Sequence, residues 1–187
     1  MRLFVALEIS PVVRENLSAL IRELRLLAPQ ARWLRAENLH VTLKFIGDSP
    51  PEKLPAIRKS LAAVQTDGPI AVDFCGLGFF PDDRRPRVLW AGITANGQLE
   101  RLALRIDSAL EPLGFPREQR PFSPHLTLAR LRSPGGVEAL RAAARQRDAQ
   151  SFGRFAANEF ILFSSELKPA AAEHTPLAAF PLLQSGA

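Results

Sequence analysis

Apolar and polar positions along the chain recur with two different periods, and the switches between them mark out the elements. Leu3 to Ile9 is an apolar run rich in strand formers, and Ser10-Pro11 follows as an N-cap with proline in the first helical turn. Val13, Leu17, Leu20, Ile21, Leu24 and Leu27 then recur at steps of three and four, which predicts a helix to about Leu27, ended ahead of Pro29. A short strand is expected over Ala31 to Arg35. A clear alternating strand runs from Leu39 to Ile46 and closes at Gly47-Asp48. Pro50-Pro51-Glu52 opens a second helix to about Gln65, and Ile70 to Phe80 is a strand interrupted by Gly76 and Gly78.

The same order then begins again. Arg87 to Ile93 reads as a strand, Asn96 to Leu113 as a helix and His125 to Arg130 as a strand. A helix over Val137 to Gln150 and a strand over Phe155 to Phe163 follow. A last strand around His174 to Phe180 carries Pro176, which suits a sheet edge. Ile9 precedes His40 by 31 residues and Ile93 precedes His125 by 32, so elements and spacing repeat together at an offset of about 85. The predicted fold is α+β and bilobal, with a pseudo-twofold duplicated unit. Two mixed, largely antiparallel sheets face a central cleft, with helices outside. The whole of 1–187 forms one domain, its repeat halves being about 1–82 and 83–187, with the chain ends free to cross between lobes.

Composition changes this picture only modestly. At 187 residues and 47% hydrophobic content the chain is long enough for a substantial core. No stretch is apolar enough for a membrane span, and Glu8 comes too early for a signal peptide, so a soluble cytoplasmic protein is expected. A net charge of +5 favours an anionic partner, and arginine, which binds phosphate bidentately, far outnumbers lysine. The single Cys75 lies in an apolar run and is expected to be a small buried residue.

Two of the three histidines open the same signature: His40-Val41-Thr42-Leu43 and His125-Leu126-Thr127-Leu128. On a strand, His40 and Thr42 share one face while Val41, Leu43 and Phe45 share the other, and His125 and Thr127 likewise oppose Leu126 and Leu128. Two symmetry-related imidazoles suit a reaction in which one group removes a proton and another supplies one, as in phosphate ester cleavage near neutrality. The threonine hydroxyls can donate to phosphate oxygens as charge develops. A metal site fares worse: two histidines fall short of zinc's usual three or four ligands, and no His-x-x-x-His or Cys-x-x-Cys spacing occurs.

These paired strands resemble the two-histidine (2H) phosphoesterase superfamily, and within it the RNA 2',3'-cyclic phosphodiesterase family, also described as 2'-5' RNA ligase. The resemblance runs through Arg2-Leu3-Phe4-Val5-Ala6, His40 to Gly47, Gly78-Phe79-Phe80-Pro81, Arg85 to Trp90 and Arg120 to Arg130, and reaches Leu162 to Pro169 and Phe180-Pro181-Leu182. It implies hydrolysis of RNA 2',3'-cyclic phosphate ends to a 2'-phosphate without metal or cofactor, with reverse ligation open by microscopic reversibility. It also implies that His40 is the proton donor and His125 the proton acceptor, roles that two near-identical motifs do not distinguish.

Among supporting residues, Arg130 matches a family phosphate clamp, yet it stands five residues after His125, so a bulge or strand end must turn it to the cleft. Lys44 shares the His40 face by parity and could reach the phosphate or backbone, whereas Phe45 should be core. Phe79, Phe80 and Phe122 lie in glycine- or proline-rich turns and could stack on a terminal base. The loop Asp82 to Arg87 either contacts backbone phosphates or is a solvated hairpin, and the helix from Glu138 exposes Arg141, Arg145 and Arg147. His174 stands where similar proteins often have an aromatic residue, and it is given no catalytic role. The chain is expected to be a monomer. Two other readings stay open: a non-catalytic binder of phosphorylated RNA ends, and a cyclic phosphodiesterase for a small nucleotide.

Overall fold

The computed structural model describes residues 1–132, 135–168 and 172–183. Nine strands and four helices occur among them: β1 Arg2–Glu8, α1 Pro11–Arg25, β2 Arg32–Trp33, β3 His40–Asp48, α2 Leu54–Ala62, β4 Ile70–Phe80, β5 Val88–Thr94, α3 Gln98–Leu110, β6 His125–Arg130, α4 Val137–Gln146, β7 Ser151–Ala157, β8 Glu159–Leu167 and β9 Ala172–Pro181. Short 3-10 turns cover Ala36–Asn38, Pro51–Lys53 and Glu111–Leu113. The Ser10 side chain accepts a hydrogen bond from the Val13 amide at 3.3 Å, the capping expected from Ser10-Pro11. Below it Val13, Leu17, Leu20, Ile21 and Leu24 form the buried stripe of α1.

The strands form two antiparallel sheets, ordered β3-β1-β8-β9 and β2-β6-β5-β4-β7. One connected apolar core runs behind both, from Leu3, Val5 and Leu7 of the first to Leu89, Ala91 and Ile93 of the second. β9 is an edge strand, as Pro176 requires. The apolar run expected as a single strand over Phe155 to Phe163 divides at Asn158: β7 stays on the five-stranded sheet and β8 crosses to the four-stranded one. Pro169, within the tail resemblance, lies outside the described residues.

The duplicated halves are not the two lobes. β2 and β4 come from the first half yet sit in the five-stranded sheet, and β8 and β9 come from the second half yet sit in the four-stranded one. The helices cross as well. α1 joins β1 to β3 but packs on β7, where Asn16 Nδ2 donates to the Phe152 carbonyl at 3.0 Å. α3 joins β5 to β6 but packs on β3, where Lys44 Nζ meets Asp107 at 2.6 Å.

Cys75 is exposed, not buried as expected. Ile70, Val72 and Phe74 take the core face of β4, and alternation turns Ala71, Asp73 and Cys75 outward.

Candidate active site

β3 and β6 run beside each other where the two sheets meet, and between them opens a cleft of about 460 Å³. His40, Thr42, His125 and Thr127 all line it, together with Arg130. The expected pairing of the two histidine motifs across one groove is therefore the observed geometry.

Each imidazole is oriented by the same device. Nδ1 of His40 lies 2.7 Å from the Asn38 carbonyl, and Nδ1 of His125 lies 2.7 Å from the Ser123 carbonyl. A carbonyl oxygen only accepts, so Nδ1 carries the proton in both rings and Nε2 is the nitrogen left for the cleft. Asn38 is itself braced, since its Nδ2 donates to the Ala172 carbonyl at 2.8 Å.

The two rings differ in their surroundings. His40 packs on Phe4 with centroids 4.9 Å apart, and Phe4 stacks on Phe163 at 5.1 Å within a small apolar cluster that includes Ala6 and Ile161. Burial there pushes His40 from 6.5 down to about 4, with His174 and Arg14 adding smaller repulsions against the hydrogen bond to Asn38. His125 meets Phe80 edge-on at 4.8 Å and is lowered by burial in the same direction.

A β-bulge recurs in both motifs. Along β1, Val5 pairs with Lys44 and Ala6 with Thr42, so Leu43 is an extra residue. Along β5, Leu89 pairs with Ala129 and Trp90 with Thr127, so Leu128 is its counterpart. Beyond each bulge the parity reverses. Arg130 thereby turns to the cleft, as a phosphate clamp requires.

The same reversal corrects two expectations on β3. Lys44 is not on the His40 face: it is 4% exposed, held by Asp107 at 2.6 Å and donating to the Pro116 carbonyl at 2.7 Å. Phe45 is not core: it is 59% exposed and lines the cleft. The expected stackers Phe79 and Phe122 do not line the cleft either. Both are partly buried and pack on the main core, because the aromatic groups beside the histidines are Phe4 and Phe80.

Residues to which the sequence assigns no role in the site also line the cleft. His174 meets the His40 ring edge-on at 5.3 Å, its Nδ1 is buried with no hydrogen-bond partner among the described residues, and burial lowers its pKa. It reaches the cleft because β9 pairs with β8, whose other neighbour is β1. Arg2, Arg32 and Arg35 complete the basic lining. Arg32 sits directly across from Arg130 in the β2–β6 register, a like-charge pairing that an anion between them would relieve. Among the described residues no cluster of three or more His, Cys, Asp or Glu could hold a metal ion, and no helix is long and apolar enough to cross a membrane.

The sequence profile of the LigT-like phosphoesterases matches residues 7–90 and 93–172. A protein of Archaeoglobus fulgidus named RNA 2',3'-cyclic phosphodiesterase is 36% identical over 169 residues, which cover 90% of this chain and 93% of that protein. One of the same name from Thermus thermophilus is 34% identical over 194 residues, covering 97% and 90%. Among solved structures, one from Thermus thermophilus superposes with a TM-score of 0.83 at 30% identity over 100% of both chains. E. coli LigT complexed with 3'-AMP superposes with a TM-score of 0.76 at 27% identity over 98% of each.

Proposed function

The chain belongs to the LigT-like phosphoesterase family, and we propose that it is an RNA 2',3'-cyclic phosphodiesterase working by two-histidine acid–base catalysis without a metal. The observation that carries this reading is the duplicated imidazole setting. Two rings that line one cleft are each fixed through Nδ1 at 2.7 Å, which leaves both Nε2 atoms free to meet substrate. The 3'-AMP bound to E. coli LigT supports a nucleotide phosphate as occupant of the cleft.

In this reaction water attacks the cyclic phosphorus, and His125 Nε2 takes the proton that water loses. The bond from phosphorus to the 3'-oxygen breaks, and His40 Nε2–H protonates that oxygen. The products are a 2'-phosphate and a 3'-hydroxyl, and exchange with solvent restores the starting protonation. With a hydroxyl of another RNA in place of water, the same forward steps open the cyclic phosphate and make a new 2'-linked phosphodiester, and run backwards they return the cyclic end.

The assignment of roles follows the family resemblance, since burial lowers both rings in the same direction. An imidazolium with a lowered pKa is a stronger acid, and His40 is pushed to about 4. Without substrate His40 is therefore mostly neutral near pH 7, and the phosphate anion bound beside it favours the protonated form that donates. Thr42 and Thr127 donate to the non-bridging oxygens, Arg130 balances the charge that grows on them, and the exposed Phe45 offers a face to the terminal base.

The direct test is to incubate the protein, in excess chelator, with an RNA oligonucleotide ending in a 2',3'-cyclic phosphate. A 2'-phosphate end is expected; a 3'-phosphate end, no product, or activity only on adding back metal would overturn the reading.

A further inference from the structure

We propose that an arginine-lined groove beside the cleft holds the backbone of the nucleotides preceding the reacting end, so that the protein selects RNA chains over single nucleotides; this rests on the function proposed above. The groove has a volume of about 420 Å³ and is lined by Arg84, Arg85, Arg87, Arg132 and Arg141, with Glu138 the one acid among its lining residues.

Its position follows from the sheet register. Arg130, the cleft arginine, pairs with Val88 on β5, and the next residue, Leu131, donates its amide to the Arg87 carbonyl at 2.8 Å. Arg132 lies only two residues beyond Arg130, within about 7 Å along an extended chain. Cleft and groove are therefore successive stretches of one basic surface, Arg32 and Arg130 at one end and Arg85 and Arg132 at the other.

The loop that presents these arginines is held in shape. One Asp82 carboxylate oxygen accepts the Arg84 and Arg85 amides, each at 2.9 Å. From α4, Arg141 donates to the Asp83 and Arg84 carbonyls and pairs with Glu138 at 2.9 Å, which occupies the one acid among the groove's lining residues. Arg141 is thus an anchor for the loop, not a contact for the ligand.

Among the described residues the guanidinium groups of Arg84, Arg85, Arg87 and Arg132 make no hydrogen bond or close ion pair, Asp82 attracting Arg84 and Arg85 only at longer range, and all four residues are exposed. Elsewhere on the surface several arginines are matched, Arg22 with Glu15, Arg101 and Arg105 with Asp67, Arg117 with Glu111 and Arg154 with Asp73, and the unmatched ones Arg25, Arg120 and Arg145 line neither the cleft nor this groove. A concave run of unmatched guanidinium forks suits a chain of phosphates. A single nucleotide in the cleft would leave it empty.

The test compares the wild-type protein with the triple variant Arg84→Ala, Arg85→Ala, Arg132→Ala on two substrates. One is a cyclic mononucleotide, the other an oligonucleotide of about eight residues ending in a 2',3'-cyclic phosphate. For the oligonucleotide, kcat/KM should fall at least tenfold at low salt, and the slope of its logarithm against log salt should become shallower by about 2, as expected for three lost contacts to a single strand. Turnover of the mononucleotide should stay within about twofold, which also reports that the variant is folded. Equal losses on both substrates, or an unchanged oligonucleotide, would overturn the proposal; the unchanged outcome would instead leave the groove to an acidic protein. If the wild type turns over neither substrate, it is the underlying function that fails.

Discussion

Three residues past Thr42, on the β3 wall, stands a phenylalanine; three residues past Thr127, on the β6 wall, stands an arginine. Both reach the cleft because the same extra residue is inserted ahead of each. Duplication supplied equivalent positions, and substitution then gave them different chemistry. The β3 wall is the aromatic one, with His40 on Phe4 and an exposed Phe45; the β6 wall is the cationic one, with Arg130 against Arg32. A nucleotide end has the same division, a flat base on one side and a charged phosphate on the other. Unequal walls can therefore bind it in one orientation, which a symmetric cleft could not.

The largest effects should come from the residues the walls share. His40→Ala and His125→Ala should each lower kcat by about 10³- to 10⁴-fold, in step with the loss of a general acid or base, and the double variant should be little worse than either. The walls part on a phosphodiester with a p-nitrophenolate leaving group. That oxygen needs no proton, so activity should return to His40→Ala and not to His125→Ala; the reverse pattern would exchange the two roles.

Burial distinguishes the walls next. In the unfolded chain His40 should titrate near its ordinary 6.5, and in the folded protein at about 4. Between those values the unfolded chain holds a proton that the folded one rejects. Stability should thus be full above about pH 6.5 and decline as pH falls toward 4, by up to about 3 kcal/mol. Urea unfolding across that range should show the decline, and His40→Gln should flatten it more than His125→Gln does.

Arg130→Ala removes a charge-assisted contact to the phosphate, worth about 2 kcal/mol, so kcat/KM should fall about 30-fold for oligonucleotide and mononucleotide alike. Smallest is Phe45→Ala, which removes stacking and should raise KM about tenfold with kcat nearly unchanged. If Phe45→Ala lowered kcat instead, the aromatic wall would be shaping the reaction and not only the grip.

Much of the site was legible because periodicity and repetition point the same way. His40, Thr42, His125 and Thr127 were placed on one groove by strand parity and by an offset of about 85, and all four line it. A bulge is different: it adds a residue without any marker in residue type, and everything after it changes face. For Arg130 the need for one could be inferred, since a cleft arginine at odd spacing is otherwise misdirected. Carrying that inference across the repeat to Phe45 would have corrected both Phe45 and Lys44. His174 was hidden for another reason. It reaches His40 only through sheet order, with β9 beside β8 and β8 beside β1, and strand neighbours that distant in sequence leave no local signal. The division at Asn158 was equally silent, because Phe155-Ala156-Ala157 before it and Phe160 to Phe163 after it are both apolar.

The crossed helices α1 and α3 make each half of the repeat a poor candidate for independent life. Cut the chain in the Asp82 to Arg87 loop, and the first fragment keeps α1 without the β7 on which it rests, while the second keeps α3 without the Lys44 that fastens it. Each fragment would hold one of the two motif histidines and half of a core belonging to its partner. Only after finding each other could they assemble a working pair, in the manner of a split protein rescued by complementation. Within the intact chain the same crossing acts as folded arms: the strands that carry His40 and His125 cannot swing apart without dragging a helix off the opposite sheet, so the spacing of the two rings is held by the whole fold.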